Sequence, residues 1–176
     1  FRLLKGRPLI AHVFERLQAQ TKAIAINANA DPTLFTEFAA PVIPDGKAEG
    51  LGPLAGVLAG LTWAAPRAAH VLTVPCDAPF LPDDLAARLA AALGAAGEED
   101  AIAVAQSGGR LHPTCALWPV GLRDVLRRDL NERGARKCES WVRARSYVVA
   151  NFDAEPVDPF LNVNTPADLR AAEALA

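Results

Sequence analysis

The residue with the clearest potential for chemistry follows an apolar run near the middle of the chain. Residues 71–75 are aliphatic or β-branched and predict a buried strand, and Asp77 stands just past its end. In open α/β sheets ligands bind outside the carboxyl ends of the strands, so a carboxylate there can bind a hard cation and a nucleotide phosphate. Aspartate is also common in proline-rich turns, and Pro79 and Pro82 follow directly. These residues alone support the two interpretations equally.

Two further polar residues follow short predicted strands. Asn27 comes directly after the apolar residues 23–26, and Asp45 ends the brief strand predicted over residues 41–45. An amide at a strand end can donate and accept hydrogen bonds in a ligand crevice. Asparagine is also a routine turn residue, and the residue type alone favours that role for Asn27.

A third polar pair lies near the end of the chain. Asn162 and Asn164 alternate by two along residues 160–166, for which we predict a short strand, so both project from one face. Thr165 and Asp168 have the spacing of a helix capping box, which predicts a helix starting at Pro166.

Two basic residues are weaker candidates. His112 precedes a proline within the strand predicted over residues 111–117, so the strand lies at an edge or bulges there and the histidine could face a ligand. Arg136 begins the helix predicted over residues 135–144, where a cation opposes the helix dipole unless an anion offsets it. A structural histidine and a solvated surface arginine are the more common outcomes.

Composition limits the class of protein. A chain of 176 residues suits one domain, and its alternating strand and helix patterns predict an α/β fold with a small antiparallel edge formed by residues 101–117. With 18 basic and 20 acidic residues and no basic block, we expect no nucleic-acid surface. No apolar stretch approaches the roughly 20 residues needed to span a membrane.

The three cysteines indicate a reduced, cytoplasmic protein. They are widely and irregularly spaced, which predicts neither a disulfide framework nor a zinc site. We expect Cys115 and Cys138 to act as small apolar residues and Cys76 to be partly exposed beside Asp77. Because there is no methionine, we expect that an N-terminal part of the protein is absent from this sequence.

Seven motifs occur in an order that resembles the molybdenum cofactor guanylyltransferase (MobA) family. The Pro-Cys-Asp motif at 75–77 and the Asn-Val-Asn-Thr-Pro motif at 162–166 are the most specific. The resemblance covers nearly the whole chain and implies a single three-layer α/β/α Rossmann-like domain over residues 1–176 with a mostly parallel sheet. The other five motifs are Gly-Arg-Pro-Leu-Ile at 6–10, Asn-Ala-Asn at 27–29, Val-Ile-Pro-Asp at 42–45, Gly-Pro-Leu-Ala-Gly at 52–56 and His-Pro-Thr at 112–114.

The resemblance implies transfer of GMP from GTP to molybdopterin with Mg²⁺ present, giving a guanine dinucleotide cofactor and pyrophosphate. By similarity, Asn27 and Asp45 would contact the guanosine, and Asp77 would be the catalytic residue that binds the metal and the phosphates. Asn162 and Asn164 would line the pterin side, with weaker assignments there for the two basic candidates. The absence of a nucleophile motif agrees with this, because phosphoryl-type transfer depends on orientation and charge neutralisation. Other cofactor-biosynthesis proteins and molybdoenzyme chaperones are possible partners.

One departure from the family is serious. Members open with a strand and a glycine-rich loop that ends in a lysine which grips the triphosphate, and this sequence begins just past that point. The resemblance therefore implies that the first strand and its loop are missing here.

Two other functions remain open. One is a related enzyme that uses CTP, acting on molybdopterin or on a sugar-like alcohol phosphate. The other is a nucleotide-binding module that does no chemistry. Comparing the turnover of GTP and CTP would distinguish the CTP-dependent enzyme. An intact lysine loop upstream would argue against the non-catalytic binding module.

Overall fold

The four longest strands form one mixed sheet. The computed structural model describes residues 2–98 and 100–175 of the chain. Gly108 and Gly109, both with positive φ, make the tight turn between the central strands. In their order across the sheet the strands are β5 (His70–Thr73), β7 (Arg110–Pro119), β6 (Ile102–Ser107) and β8 (Tyr147–Phe152).

The antiparallel strand is central, so the predicted antiparallel edge was wrong in position. Strand β7 runs antiparallel to β5 and β6, whereas β6 and β8 are parallel, so three of these four strands share one direction. Most residues of β7 are buried or half-buried on both faces. A strand with two apolar faces is stabilised most where helices cover both sides of the sheet.

The bulge predicted at the proline of β7 is confirmed. The pairing with β6 shifts between Val104 and Ala105, so β7 has additional residues between His112 and Ala116. Pro113 lies among them and has no N–H to donate to the ladder. The bulge releases this part of β7 from regular pairing.

Helices cover both faces of the sheet, which confirms the three-layer α/β/α architecture. Ile102 and Val104 of β6 pack against the helices on one face of the sheet, while Ala103 and Ala105 pack against the helices on the other. Alternate residues of one strand thus belong to different cores. The α-helices are α1 (Leu9–Gln18), α2 (Pro53–Ala64), α3 (Leu85–Ala96), α4 (Arg123–Glu132), α5 (Cys138–Arg143) and α6 (Pro166–Leu175).

The remaining strands are short and form two pairs. Strands β3 (Ile26–Asn27) and β4 (Val42–Ile43) are parallel, and β1 (Leu3–Leu4) and β2 (Arg7–Pro8) are antiparallel. Three 3₁₀-helices complete the described elements, namely Pro32–Phe38, Gly46–Ala48 and Val120–Leu122.

The strand predicted over residues 160–166 was wrong, because that segment is irregular up to the start of α6. Its backbone groups bond to the loop after β5 and to the turn that precedes it instead of to a ladder. The capping box is confirmed. Thr165 Oγ1 accepts from the Asp168 N–H at 3.1 Å, and the Asp168 carboxylate accepts from the Thr165 N–H at 2.7 Å.

A buried carboxylate ties α4 to α5. Asp129 is 4% exposed and accepts hydrogen bonds from Trp141 Nε1 at 3.0 Å, from Arg133 at 3.1 Å and from Arg145. The Arg145 guanidinium also lies 3.4 Å from the centre of the Trp141 ring. This cluster fixes the layer that covers α2.

Asp129→Asn is expected to lower the free energy of unfolding by about 3 kcal/mol, because it leaves a half-buried guanidinium without its negative partner. Urea denaturation measures the change. Asp124→Asn is the matched control on the same helix, where the ion pairs to Arg123 and Arg127 are exposed and screened by solvent, so a much smaller effect is expected. Equal effects of the two substitutions would contradict the structural role of Asp129.

Within the described residues, no helix combines the length and the apolar character needed to cross a bilayer.

Candidate active site

A cavity of about 1280 Å³ is bounded by β3, β5, α1 and α2. Most of its wall is apolar, and three of its polar residues, Asn27, Asp45 and Asp77, lie at or just past the ends of β3, β4 and β5. The structure therefore brings together the ends of strands that are distant in sequence. Four candidates from the sequence contribute to the lining, namely Asn27, Asp45, Asp77 and Asn164.

Asn27 and Asp45 are in direct contact. Asn27 Nδ2 donates to Asp45 Oδ1 at 2.9 Å and to the Ile43 carbonyl at 3.0 Å. The parallel pairing of β3 and β4 sets Asn27 opposite Ile43, so the side chains of Asn27 and Asp45 lie at the same end of the strand pair. Asn29 Nδ2 donates to Asp45 Oδ2 at 2.9 Å, and Asn29 Oδ1 accepts from the Asp45 N–H at 2.9 Å. The Asp45 carboxylate is thus oriented through both of its oxygens.

Helix α2 approaches this pair closely at a glycine. A Cβ on Gly56 would lie 2.4 Å from Asn27 Oδ1 and 4.0 Å from Asp45 Oδ1. Any side chain at position 56 would therefore displace the Asn27 amide.

Asp77 lies at the open end of β5 and is half-buried. Its backbone carbonyl accepts a hydrogen bond from the Val163 N–H at 2.8 Å. The segment that carries Asn162 and Asn164 therefore runs beside Asp77, although the two are far apart in the sequence.

The cysteines do not offer a nucleophile. Desolvation raises the pKa of Cys76, and the negative charge of Asp77 raises it further. Burial raises the pKa of Cys115, and it raises the pKa of Cys138 to about 12. All three thiols are therefore protonated at neutral pH. Cys115 and Cys138 are buried and Cys76 is exposed, as predicted.

The surroundings of Asp77 suit a cation that is held by one carboxylate together with the substrate. Within residues 2–98 and 100–175, no cluster of three or more histidine, cysteine or acidic side chains could form a complete metal cage. Mg²⁺ usually keeps several waters and is held by one or two carboxylates together with substrate phosphates. A single half-buried carboxylate at the edge of a large cavity suits that mode of binding.

The late asparagines flank a buried anchor. Val163 is 1% exposed, whereas Asn162 and Asn164 on either side of it are exposed. Arg2 Nη1 donates to the Val163 carbonyl at 3.0 Å and fixes the segment from the other side. The predicted alternation of the two asparagines therefore exists without strand pairing.

His112 is buried next to the bulge of β7. Its exposed fraction is 9%, its Nε2 lies 2.7 Å from Ser107 Oγ, and its ring stacks on Phe160 with centroids 4.6 Å apart. Thr114, two residues along the same strand, contributes to the cavity wall. His112 itself does not line the cavity, and it contacts Phe160 of the loop that carries the asparagines.

Arg136 precedes α5 instead of beginning it. Its Nη1 donates to the carbonyls of Leu130 and Ala135, at 3.1 and 2.6 Å, so the cation stabilises the carboxyl end of α4. The expected conflict with a helix dipole is therefore wrong, because α5 starts two residues later at Cys138. The backbone carbonyl of Arg136 lies 3.4 Å from where a Cβ on Gly52 would be, beside the start of α2.

Sequence reasoning missed two residues of this region. Asn29 belongs to the same Asn-Ala-Asn motif as Asn27, and their spacing by two predicts that both lie on one face. Gly56 is likewise part of a motif, but its contact with Asn27 on another element was not predicted. Ser107 and Asp158, which bond to each other at 2.8 Å, belong to no recognised motif.

Comparisons with known proteins identify one family. The family model for the MobA-like NTP transferase domain matches residues 1–150. A molybdenum cofactor guanylyltransferase of Rhodopseudomonas palustris is 48% identical over 99% of this chain and 82% of its own length. One from Bradyrhizobium sp. is 44% identical over 99% of this chain and 83% of its own length.

Solved structures share the fold at lower identity. Molybdopterin-guanine dinucleotide biosynthesis protein A from Archaeoglobus fulgidus superposes with a TM-score of 0.75 at 22% identity, over 99% of this chain and 88% of that one. The 2-C-methyl-D-erythritol 4-phosphate cytidylyltransferase of Thermus thermophilus gives a TM-score of 0.69 at 23% identity, over 98% and 91%. These two likenesses establish the nucleotidyltransferase fold. The family model and the sequence relatives together establish that the chain belongs to the molybdenum cofactor guanylyltransferase family of MobA-like NTP transferases.

Proposed function

We propose that this enzyme transfers GMP from GTP to the terminal phosphate of molybdopterin. A phosphate oxygen of molybdopterin forms a bond to the α-phosphorus of GTP. The bond between that phosphorus and the oxygen that bridges the α- and β-phosphates breaks, and pyrophosphate leaves. The observation that carries the proposal is the meeting of Asn27, Asp45 and Asp77 at one cavity in a chain 48% identical to a named guanylyltransferase.

The chemistry needs positioning and charge neutralisation more than a protein nucleophile. Asp77 would hold Mg²⁺ together with the phosphates of the nucleotide, and the cation would neutralise charge that develops on the leaving pyrophosphate. The role of the protein is to hold the two substrates in line. The three cysteines agree with a reaction that uses no protein nucleophile, because their raised pKa values keep them protonated.

Asn27 and Asp45 would hold the guanosine. The Asp45 carboxylate is kept in one orientation by two amides, and its remaining lone pairs can accept hydrogen bonds from ribose hydroxyls or from the N–H groups of guanine. Because these hydrogen bonds already orient the carboxylate, little ordering is required when the nucleotide binds.

Asn162 and Asn164 would line the pterin side, with His112 and Arg136 as further candidates there. The two asparagines are exposed on a segment anchored beside Asp77, so their amides can reach a second substrate without disturbing the nucleotide pocket. The acceptor phosphate would then approach the metal from this side.

Replacing both Asn162 and Asn164 by alanine is expected to raise the KM for molybdopterin about tenfold or more, since each lost hydrogen bond is worth about 1 kcal/mol. The Kd for GTP should change less than twofold. Steady-state kinetics and GTP titration measure the two effects. An equal loss of affinity for both substrates would contradict the placing of these residues.

We also propose that an additional strand and a phosphate-binding loop occupy part of the cavity. In the described structure β3 pairs with β4 along one edge, and β5 pairs with β7 along one edge. The cavity wall between β3 and β5 is apolar. An extended apolar segment there would join the two sheets and bring its loop to the polar residues. In the complete protein, cavity-facing amides of β5 should then resist hydrogen exchange, and rapid exchange of those amides would contradict the proposal.

A direct assay tests the function. The complete protein is incubated with molybdopterin, Mg²⁺ and each nucleoside triphosphate in turn, and the dinucleotide and pyrophosphate are measured. We expect turnover with GTP. Preferential turnover with CTP would support the alternative cytidylyltransferase, and GTP binding without product would support the non-catalytic module. Binding of other cofactor proteins or chaperones and a cytoplasmic location stay predictions.

A further inference from the structure

A chain of hydrogen-bonded polar side chains connects the central hairpin to the loop before α6. Ser107 ends β6 and is 2% exposed, and its Oγ lies 2.7 Å from His112 Nε2 across the hairpin. The same Oγ donates to Asp158 Oδ1 at 2.8 Å. Ser107 and His112 are buried and Asp158 is half-buried, and burying polar groups is costly unless each has a partner, as each one has here.

The hydrogen bonds fix where the protons are. An ionised carboxylate only accepts, so the Ser107 hydroxyl proton points at Asp158. The Ser107 oxygen must then accept from His112, whose Nε2 therefore carries a proton. Burial lowers the pKa of His112, outweighing the negative charge of Asp158, which raises it. The ring is thus a neutral Nε2–H imidazole at neutral pH.

This arrangement is not a hydrolase triad, although it has the same residue types. In a triad the carboxylate orients the histidine and the histidine takes the serine proton. Here the serine stands between the other two and donates a hydrogen bond to the carboxylate. Its side chain is also closed to substrate. The chain of bonds therefore holds a structure in place.

The element that it holds begins at Asp158. Asp158 Oδ1 also accepts from the Phe160 N–H at 2.9 Å, which makes a turn at the start of residues 158–164. Phe160 is 4% exposed and packs between the ring of His112 and the edge of Phe152, with centroids 4.6 and 5.2 Å apart. The first half of the segment is thus attached to the sheet by polar and aromatic contacts.

The second half of the segment is attached to the candidate metal site. The Val163 N–H donates to the Asp77 carbonyl at 2.8 Å, between the two exposed asparagines. Residues 158–164 therefore span the distance from the polar chain to Asp77. Asp158 and Phe160 anchor one end of this segment, and Val163, between the two asparagines, anchors the other.

We infer that Ser107, His112 and Asp158 are positioning residues that hold residues 158–164 against Asp77 and so set the affinity for molybdopterin. The inference rests on the proposed function for the identity of the substrate. The positioning itself rests on the contacts alone. His112 then acts on the pterin side through the segment, and Asn162 and Asn164 make the contact with substrate.

Ser107→Ala tests the inference in the complete protein. It removes the bond to both neighbours, and we expect the KM for molybdopterin to rise about tenfold, with kcat at saturation and the KM for GTP changed less than twofold. Asp158→Asn keeps an oxygen that can accept from Ser107 and from the Phe160 N–H, so near-normal kinetics are expected from it. His112→Gln, which keeps an N–H donor, should retain more affinity than His112→Phe, which keeps only the ring contact.

Hydrogen exchange of residues 158–164 without substrates provides the second measurement. Faster exchange of this segment in Ser107→Ala, with normal exchange rates in Asp158→Asn, supports the positioning role. This result stands even if the wild-type enzyme uses another acceptor, because then only the proposed function fails. If Ser107→Ala does not fold, Asp158→Ala at the half-buried end takes its place. Unchanged exchange together with an unchanged KM for the acceptor, or an equal rise in the KM for GTP, would overturn the inference.

Discussion

Asp77→Asn is expected to lower the rate of GMP transfer by about a hundredfold or more, the loss typical when a preorganised electrostatic contribution is removed from an active site. The substitution removes one negative charge with little change in shape. A neutral amide binds a divalent cation far more weakly than a carboxylate, and the phosphates would lose the cation that neutralises them. Pyrophosphate release under saturating GTP, molybdopterin and Mg²⁺ measures the effect.

Asp84→Asn is the matched control for this prediction. Asp84 precedes α3, its side chain is 60% exposed, and it makes no side-chain capping bond. Asparagine is an equally good residue at a helix start, so both the fold and the activity should be retained. The thermal midpoint of Asp77→Asn should also stay near that of the wild type. Near-normal pyrophosphate release by Asp77→Asn would refute its assignment as the metal ligand.

Gly56→Ala is expected to raise the KM for GTP about tenfold to a hundredfold, the range for losing a hydrogen bond to a charged group. The new Cβ would lie 2.4 Å from Asn27 Oδ1, so one of the two atoms must move. Asn27 is exposed and its amide is the flexible end of a side chain, so it moves more readily than the helix backbone. Its bond to Asp45 is then lost while the fold remains. GTP titration and steady-state kinetics measure the change.

Gly94→Ala is the control for the same substitution within a helix. A Cβ on Gly94 of α3 would meet nothing within 4 Å. Alanine favours a helix by about 1 kcal/mol over glycine, so this variant should be as stable as the wild type or more so, with an unchanged KM for GTP. If Gly56→Ala also left the KM unchanged, the Asn27–Asp45 pair would not be a nucleotide site.

The sequence alone determined the order and type of most elements, because their signals are local. The apolar run before Asp77 predicted β5, Pro113 predicted a bulge, and the Thr165–Asp168 spacing predicted the start of α6. Each depends on side-chain alternation, a missing N–H or a capping bond within a few residues. The motifs also predicted the family, which the comparisons confirm.

Only the tertiary structure decided which of these residues meet. The central place of β7 depends on helices covering both of its faces, and the irregular course of residues 160–166 depends on hydrogen bonds to Asp77 and Asp158. The approach of Gly56 to Asn27 likewise joins elements on different layers. Such contacts leave no periodic trace in the chain, because they arise from packing between segments that are separate in sequence, and packing is settled only when the whole core forms.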